Sequence, residues 1–239
     1  MRRPVLTICT ALGVLVLLGL GTWQVYRLQW KLDLIERTQA RTTAPPLTAA
    51  QVSALPHEEA EYRAVILSGG FPTDEVAHVF GTYEGQPGWF VFQPVLLDDA
   101  ASPPAYVLLN RGFVAQDRRE TGYPLPESGP ITGLVRRFED TGGVAGLVRA
   151  PNDPVAGSYY DRRYETLSAA FPALVARFGG TVLPDFYVDS TMPTDVPRGG
   201  TTRLDFSNRH LGYAVTWYGL AAGLVAVYAA MRRRDARRS

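Results

Sequence analysis

Cysteine is nearly absent: the chain of 239 residues holds one, Cys9, and it lies inside an uncharged apolar stretch. A lone thiol there leaves the rest of the chain with no internal disulfide and no thiolate metal site, and it excludes copper delivery through paired cysteines. Enzyme signatures are also missing. The sequence has no Ser nucleophile elbow, no phosphate-cradling Gly-Lys loop and no His-Glu-x-x-His pair. Of three histidines, His57 and His78 have no ligand partner close by and read as satisfied surface or strand residues. The adjacent pairs Glu58-Glu59 and Asp98-Asp99 would point to opposite faces of an extended chain and read as solvated surface. No repeat of fixed period is present. A chain with these gaps is expected not to be an enzyme.

Two long apolar runs are present, Pro4 to Tyr26 and Leu211 to Met231, of 23 and 21 residues without a charge. At ~1.5 Å per residue, each reaches across a hydrocarbon core of roughly 30 Å. The expected frame is therefore a membrane hairpin with a domain between its legs. Arg2 and Arg3 precede the first run, and Arg232, Arg233, Arg234, Arg237 and Arg238 follow the second. Basic residues at the ends of spans favour the cytoplasm, which places both termini there and the central domain outside. A cleaved signal peptide is the competing reading of the first run. Against it, Val5 to Leu20 is followed by Gly21-Thr22-Trp23-Gln24-Val25-Tyr26, whose aromatic pair suits a membrane interface, and not by an A-x-A site. The lack of an Arg- and Ser-rich presequence favours a bacterial cell membrane over the mitochondrial inner membrane.

The tails hold seven of the 24 basic residues, leaving 17 against 22 acidic ones from Arg27 to Arg209, a net charge of about −5 hidden within the overall +1. An acidic outer domain excludes nucleic acid as a partner, since that would call for a basic stripe. The basic tail at 232–239 reads as a topology anchor, with contact to anionic membrane lipid as a secondary role.

The expected organisation is a cytoplasmic N-terminus and span at 1–26, a helical stalk and linker at 27–57, a β-rich domain at 58–203, a re-entry segment and second span at 204–231, and a basic tail at 232–239. Trp30 to Arg37 continues the first span as a helix that ends before Pro45-Pro46. Leu47 to Leu55 reads ambiguously, with Thr48 as a helix cap. Short β-like runs follow at Tyr62–Leu67, His78–Tyr83, Trp89–Leu97, Ala105–Val114 and Ile131–Phe138. Arg163 to Phe178 reads as a helix interrupted by Pro172, and Val182 to Asp189 as a further strand. The fold class expected is an α+β membrane protein: two transmembrane helices flanking a mainly antiparallel sheet or barrel-like outer domain with one covering helix.

His210 stands where the chain re-enters the membrane, with Tyr213, Ala214 and Trp217 at offsets of three, four and seven, on one helical face. An imidazole at a bilayer boundary can supply a nitrogen ligand to iron, and an aromatic two turns deeper can pack on a porphyrin plane. Arg203 and Arg209 nearby can pair with haem propionates. The plainer reading, an interfacial histidine beside a Trp/Tyr belt, stays open on these residues alone. Two readings also remain for Asn110-Arg111-Gly112: a tight turn after a strand, or an arginine that meets a propionate or a partner carboxylate. Gly219 and Gly223, four apart, are expected to let the two spans pack closely.

Six blocks in order carry a family resemblance. The run Leu20 to Lys31 (Leu-Gly-Thr-Trp-Gln-Val-Tyr-Arg-Leu-Gln-Trp-Lys) resembles the first-span signature of the Surf1 family of cytochrome oxidase biogenesis proteins. Tyr62-Arg63 leading to Gly69-Gly70-Phe71, Gly88 to Pro94, Leu109-Asn110-Arg111-Gly112-Phe113-Val114 and Tyr187-Val188-Asp189 are similar to its domain blocks, with Phe113 where the family often has Trp. His210 to Gly219 is similar to its second-span signature. The resemblance implies assistance to haem-copper oxidase assembly through delivery of haem a to the catalytic subunit of cytochrome c oxidase, or its retention there. His210 is the implied iron ligand and Trp217 a residue needed nearby. Haem a synthase is a further partner consistent with that role. Two other classes remain: an accessory subunit or scaffold of a respiratory oxidase that holds no haem, and a two-span sensor, for which the cytoplasmic tails are too short to carry an output module.

Overall fold

A computed structural model describes residues 2–98, 104–119, 123–125, 129–140, 150–204 and 208–237. Asp99 and Arg238 lie outside the described residues. The chain divides into two compact units, Met1–Gln39 with Leu204–Ser239, and Ala40–Arg203.

The first unit consists of helix α1 (Arg2–Thr43), up to Gln39, and helix α6 (His210–Ala236). Both are long and apolar enough to cross a membrane, and their outward side chains, Val5, Ile8, Leu12, Leu15 and Val16 on α1 and Leu211, Val215, Leu220 and Val227 on α6, are exposed. Apolar faces of this extent mark the chain as membrane-associated. α1 runs unbroken from the first span through the expected stalk to Thr43, because no Pro or Gly interrupts the segment after Gly21 until Pro45.

Small residues let α1 and α6 approach. A β-carbon on Gly21 would fall 2.9 Å from the Tyr218 ring, and one on Gly13 3.1 Å from Leu224. Ala214 and Ala221 are the buried residues of α6. Gly219 and Gly223, expected at this contact, face open space instead. Four-residue spacing puts two residues on one face without saying which face meets the partner. Polar rungs join the helices, Thr7 Oγ1 with Tyr228 Oη at 2.7 Å and Thr22 Oγ1 with Tyr218 Oη at 3.0 Å. In a medium without water such pairs satisfy groups that would otherwise be orphaned.

The second unit is built on one nine-stranded sheet. Strands β1 (Ala64–Leu67), β3 (Ala77–Tyr83), β4 (Gln86–Leu97), β5 (Ala105–Ala115), β6 (Ile131–Arg136), β7 (Ser158–Tyr159) and β9 (Tyr187–Ser190) run in the order β1-β6-β9-β5-β4-β3-β7. The short β2 (Gly69–Gly70) pairs with β4, and β8 (Thr181–Val182) with β5. The hairpin between β3 and β4 closes on Glu84 and Gly85, with φ of 51° and 81°, the two positive values that a tight type I′ turn needs. Most pairs are antiparallel, but β9 inserts parallel to β5 and antiparallel to β6.

The two-residue alternation of β5 divides the core. Val107 and Leu109 join a cluster with Val65, Val95, Val135 and Val188, covered by helix α2 (Ala49–Ser53) through Ala49 and Val52. Tyr106 and Leu108 face the other way, among Phe92, Phe171, Leu174 and Tyr187. This second cluster is covered by α4 (Tyr164–Ser168) and α5 (Pro172–Phe178), where a single interrupted helix was expected. Pro172 has no N–H to continue a helix but suits the first turn of a new one, so the segment breaks before it. α2 has the capping box anticipated at Thr48, whose hydroxyl accepts from Gln51 N while the Gln51 side chain accepts from Thr48 N. A one-turn helix, α3 (His57–Ala60), precedes β1 and leaves His57 exposed.

Candidate functional site

His210 opens α6. Its backbone N–H donates to Asn208 Oδ1 at 3.4 Å, and Tyr213 N donates to the Arg209 carbonyl at 3.3 Å, which starts the first turn. The half-buried imidazole turns towards α1, where Nδ1 lies 2.8 Å from Oε1 of Gln24. Gln24 is itself 9% exposed, an amide enclosed within an apolar helix pair. No described residue hydrogen-bonds His210 Nε2, so the ring has one nitrogen engaged and one available.

The face anticipated around His210 divides in three dimensions. Ala214 turns inward against α1 and is buried, Trp217 is half-buried one turn further along, and Tyr213 is 54% exposed. Arg209 is exposed immediately before the histidine. Arg203 belongs to the other unit, where it is exposed and lines a cleft of about 380 Å³ with Arg136, Arg162, Asp189 and Thr202. Gln24 went unassigned in the sequence; the available signal was a lone amide within a run that is otherwise apolar.

Beside that cleft a buried polar network holds the sheet. Asp189, 3% exposed, accepts from Asn110 Nδ2 at 2.7 Å, Thr202 Oγ1 at 2.8 Å and Arg136 Nη1 at 3.2 Å. Burial opposes the Arg136 charge, but Tyr187, Asp189, Tyr62 and Glu61 outweigh it and raise its pKa. Asn110 also accepts from Gly112 N at 3.2 Å.

Asn110-Arg111-Gly112 is not a turn but the middle of β5. There the pairing with β4 shifts between Val91 and Phe92, and Arg111 is the extra residue of the bulge. Arg111 is 4% exposed, and its guanidinium donates to Gln93 Oε1 at 2.9 Å and to the Pro124 carbonyl. Burial lowers its pKa, and no carboxylate among the described residues pairs with it. The arginine is thus a structural plug inside the sheet. Gly112 has φ of 135°, and its Cα lies so close to Arg198 that a β-carbon would overlap that residue's carbonyl.

His78 is likewise structural: buried in β3, its Nε2 lies 3.0 Å from Tyr123 Oη and its ring meets Trp89 edge-on. No group of three or more His, Cys, Asp or Glu side chains fit to hold a metal ion occurs among the described residues. Among the described residues His210 is the one histidine on the membrane-length helices.

The sequence pattern of the SURF1 family matches residues 11–222, from inside the first span to inside the second. This chain belongs to the SURF1 family. Human Surfeit locus protein 1 is 33% identical over 228 residues, which cover 85% of this chain and 70% of the relative. A SURF1-like protein of Monosiga brevicollis is 29% identical over 249 residues, 94% of this chain and 86% of the relative. The cytochrome oxidase assembly protein SHY1 of Saccharomyces cerevisiae is 27% identical over 287 residues, 92% of this chain and 72% of the relative. The whole sheet of this SURF1-family chain falls within the matched span, which takes in α1 from residue 11 onward and α6 as far as residue 222.

Proposed function

We propose that this protein assists the assembly of a haem-copper cytochrome c oxidase, holding haem a at the head of α6 before its transfer to the catalytic subunit. Membership of a family that includes an oxidase assembly protein supports the first half. The observation that carries the second is the half-buried His210 imidazole, with Nδ1 engaged and Nε2 available at the end of a membrane-length helix. The donor set fits haem: a neutral imidazole nitrogen, a half-buried Trp217, an exposed Tyr213 and the cationic Arg209. Haem held there by His210, Trp217, Tyr213 and Arg209 would supply the iron porphyrin that the oxidase takes up.

The chain's own part is to hold and release. His210 presents Nε2 at the bilayer boundary, Trp217 and Tyr213 provide apolar surface for a macrocycle, and Arg209 stands at the height where propionates meet water. Haem held through His210 would be gripped weakly enough for handover to the oxidase. Both termini are cytoplasmic, placing the Ala40–Arg203 unit outside a bacterial cell membrane, where it docks the oxidase or a haem a synthase. The protein is an assembly factor and not an enzyme.

The test is an absorption spectrum with a pyridine haemochrome assay on detergent-purified protein from cells that make haem a, wild type beside His210→Ala. Haem a in the wild type and its loss in the variant is the expected result. No haem in either would overturn the carrier role and leave an accessory subunit or scaffold of the oxidase.

A further inference from the structure

The hydrogen bond between the two membrane helices gives His210 a partner with a chemical consequence. The neutral imidazole carries one proton, on either nitrogen, and only the bare nitrogen can ligate a metal. The atom of Gln24 that faces Nδ1 is the amide oxygen, at 2.8 Å, and an oxygen can only accept. In this orientation the proton sits on Nδ1 and leaves the lone pair on Nε2, which no described residue occupies. Gln24 is 9% exposed and belongs to an apolar helix. The opposite orientation of the amide would have the nitrogen donate to Nδ1, place the proton on Nε2 and block that nitrogen as a ligand.

We propose that Gln24 is a positioning residue for the haem site: it fixes the Nδ1–H tautomer and ring orientation of His210 and strengthens Nε2 as an iron ligand. This role rests on the haem reading given above. An acceptor on the far nitrogen of a ligating histidine pushes electron density towards the metal and locks the ring, so its loss weakens metal binding. Side-chain hydrogen bonds of Thr22 with Tyr218 and of Thr7 with Tyr228 also tie the two helices. The Gln24 rung thus stands beside two other side-chain ties between these helices among the described residues.

Two measurements test it. In apo wild type labelled with 15N-histidine, with the His210 resonances assigned by their loss in His210→Ala, His210 shows protonated Nδ1 and bare Nε2; protonated Nε2 would overturn the proposal. In haem-loaded protein, Gln24→Met, which keeps the side-chain length but removes the strong acceptor, binds haem roughly 10- to 100-fold more weakly. It also lowers the iron–histidine stretching frequency in resonance Raman spectra and raises the reduction potential, whereas Gln24→Glu restores both. A helix tie alone would move neither spectroscopic value. Haem bound by wild type and lost in His210→Ala, with Gln24→Met unchanged in affinity and frequency, would overturn this inference and leave the haem reading standing. Absence of haem from wild type would overturn both.

Discussion

Four glycine-to-alanine substitutions in the sheet unit separate the cost of backbone conformation from the cost of space. Gly70 has neither problem: it is exposed, has no positive φ, and a β-carbon there meets nothing within 4 Å. Gly85 has φ of 81° but open surroundings, so alanine pays only for the left-handed backbone, about 1 kcal/mol. Gly133 has no positive φ, but its β-carbon would overlap Val188 Cγ1 and crowd the Asp189 carbonyl, an overpacking cost of about 2–3 kcal/mol. Gly112 combines both: φ of 135° and overlap with the Arg198 carbonyl, which accepts from Phe113 N at 2.9 Å and cannot easily move. Adding a strained conformation at ~1–3 kcal/mol to the overlap gives about 4 kcal/mol. For a unit the size of Ala40–Arg203, this lowers the unfolding midpoint by roughly 10 °C. The assay is near-ultraviolet circular dichroism of the full chain in detergent on heating. The expected order of loss is Gly112, Gly133, Gly85, Gly70; a Gly112→Ala midpoint within about 2 °C of wild type would refute the reasoning.

Burial alone would push the Asp161 carboxyl up, but hydrogen bonds from Arg163, Thr166 and Asn152 outweigh it and hold the pKa at about 2. The unfolded chain has the ordinary value of 3.8, so at neutral pH the ionised group contributes about 2 kcal/mol. That contribution is complete above the unfolded value and is lost as pH falls from about 4 through 2. Denaturant midpoints of Asp161→Asn should lie below wild type at pH 7 and converge with it below pH 4; a gap that persists unchanged to pH 2 would contradict this. Asn110→Ala removes a 2.7 Å bond to the buried Asp189 carboxylate and the acceptor for Gly112 N, and should cost about 2–3 kcal/mol in urea unfolding. A double-mutant cycle with Asp189→Asn checks that the loss runs through this pair, and additive effects would refute it.

The strands that showed in the sequence are those long enough for alternation to register. The runs at 62–67, 78–83, 89–97, 105–114 and 131–138 correspond to β1, β3, β4, β5 and β6. The two-residue β2, β7 and β8 are too short to show any period, and their pairing is decided by the chain they lie against. The expected strand from Val182 to Asp189 divides into β8 and β9, since Pro184 lies between them and cannot donate to a ladder. The Thr48 cap was legible because its partner is three residues away. The Gln24 to His210 bond was not, because it joins positions 186 apart and periodicity reports only on neighbours. The Asn-Arg-Gly motif pointed to a turn by residue type; the bulge accommodates the same conformational need within a strand.

The position of β9 has a bearing on how the protein is made. Tyr187–Ser190 pairs with β5 on one side and β6 on the other, so the middle of the sheet is completed by nearly the last residues of the unit to be synthesised. Until Ser190 has emerged, β5 and β6 each present an unpaired edge, the long and apolar β5 being the greater hazard for sticking to other chains. A product truncated before Tyr187 would combine the span-length α1 with a sheet divided in two, its edges open. Protein synthesis therefore passes through an interval in which the sheet is unfinished, and that interval ends at Ser190, before α6 begins at His210.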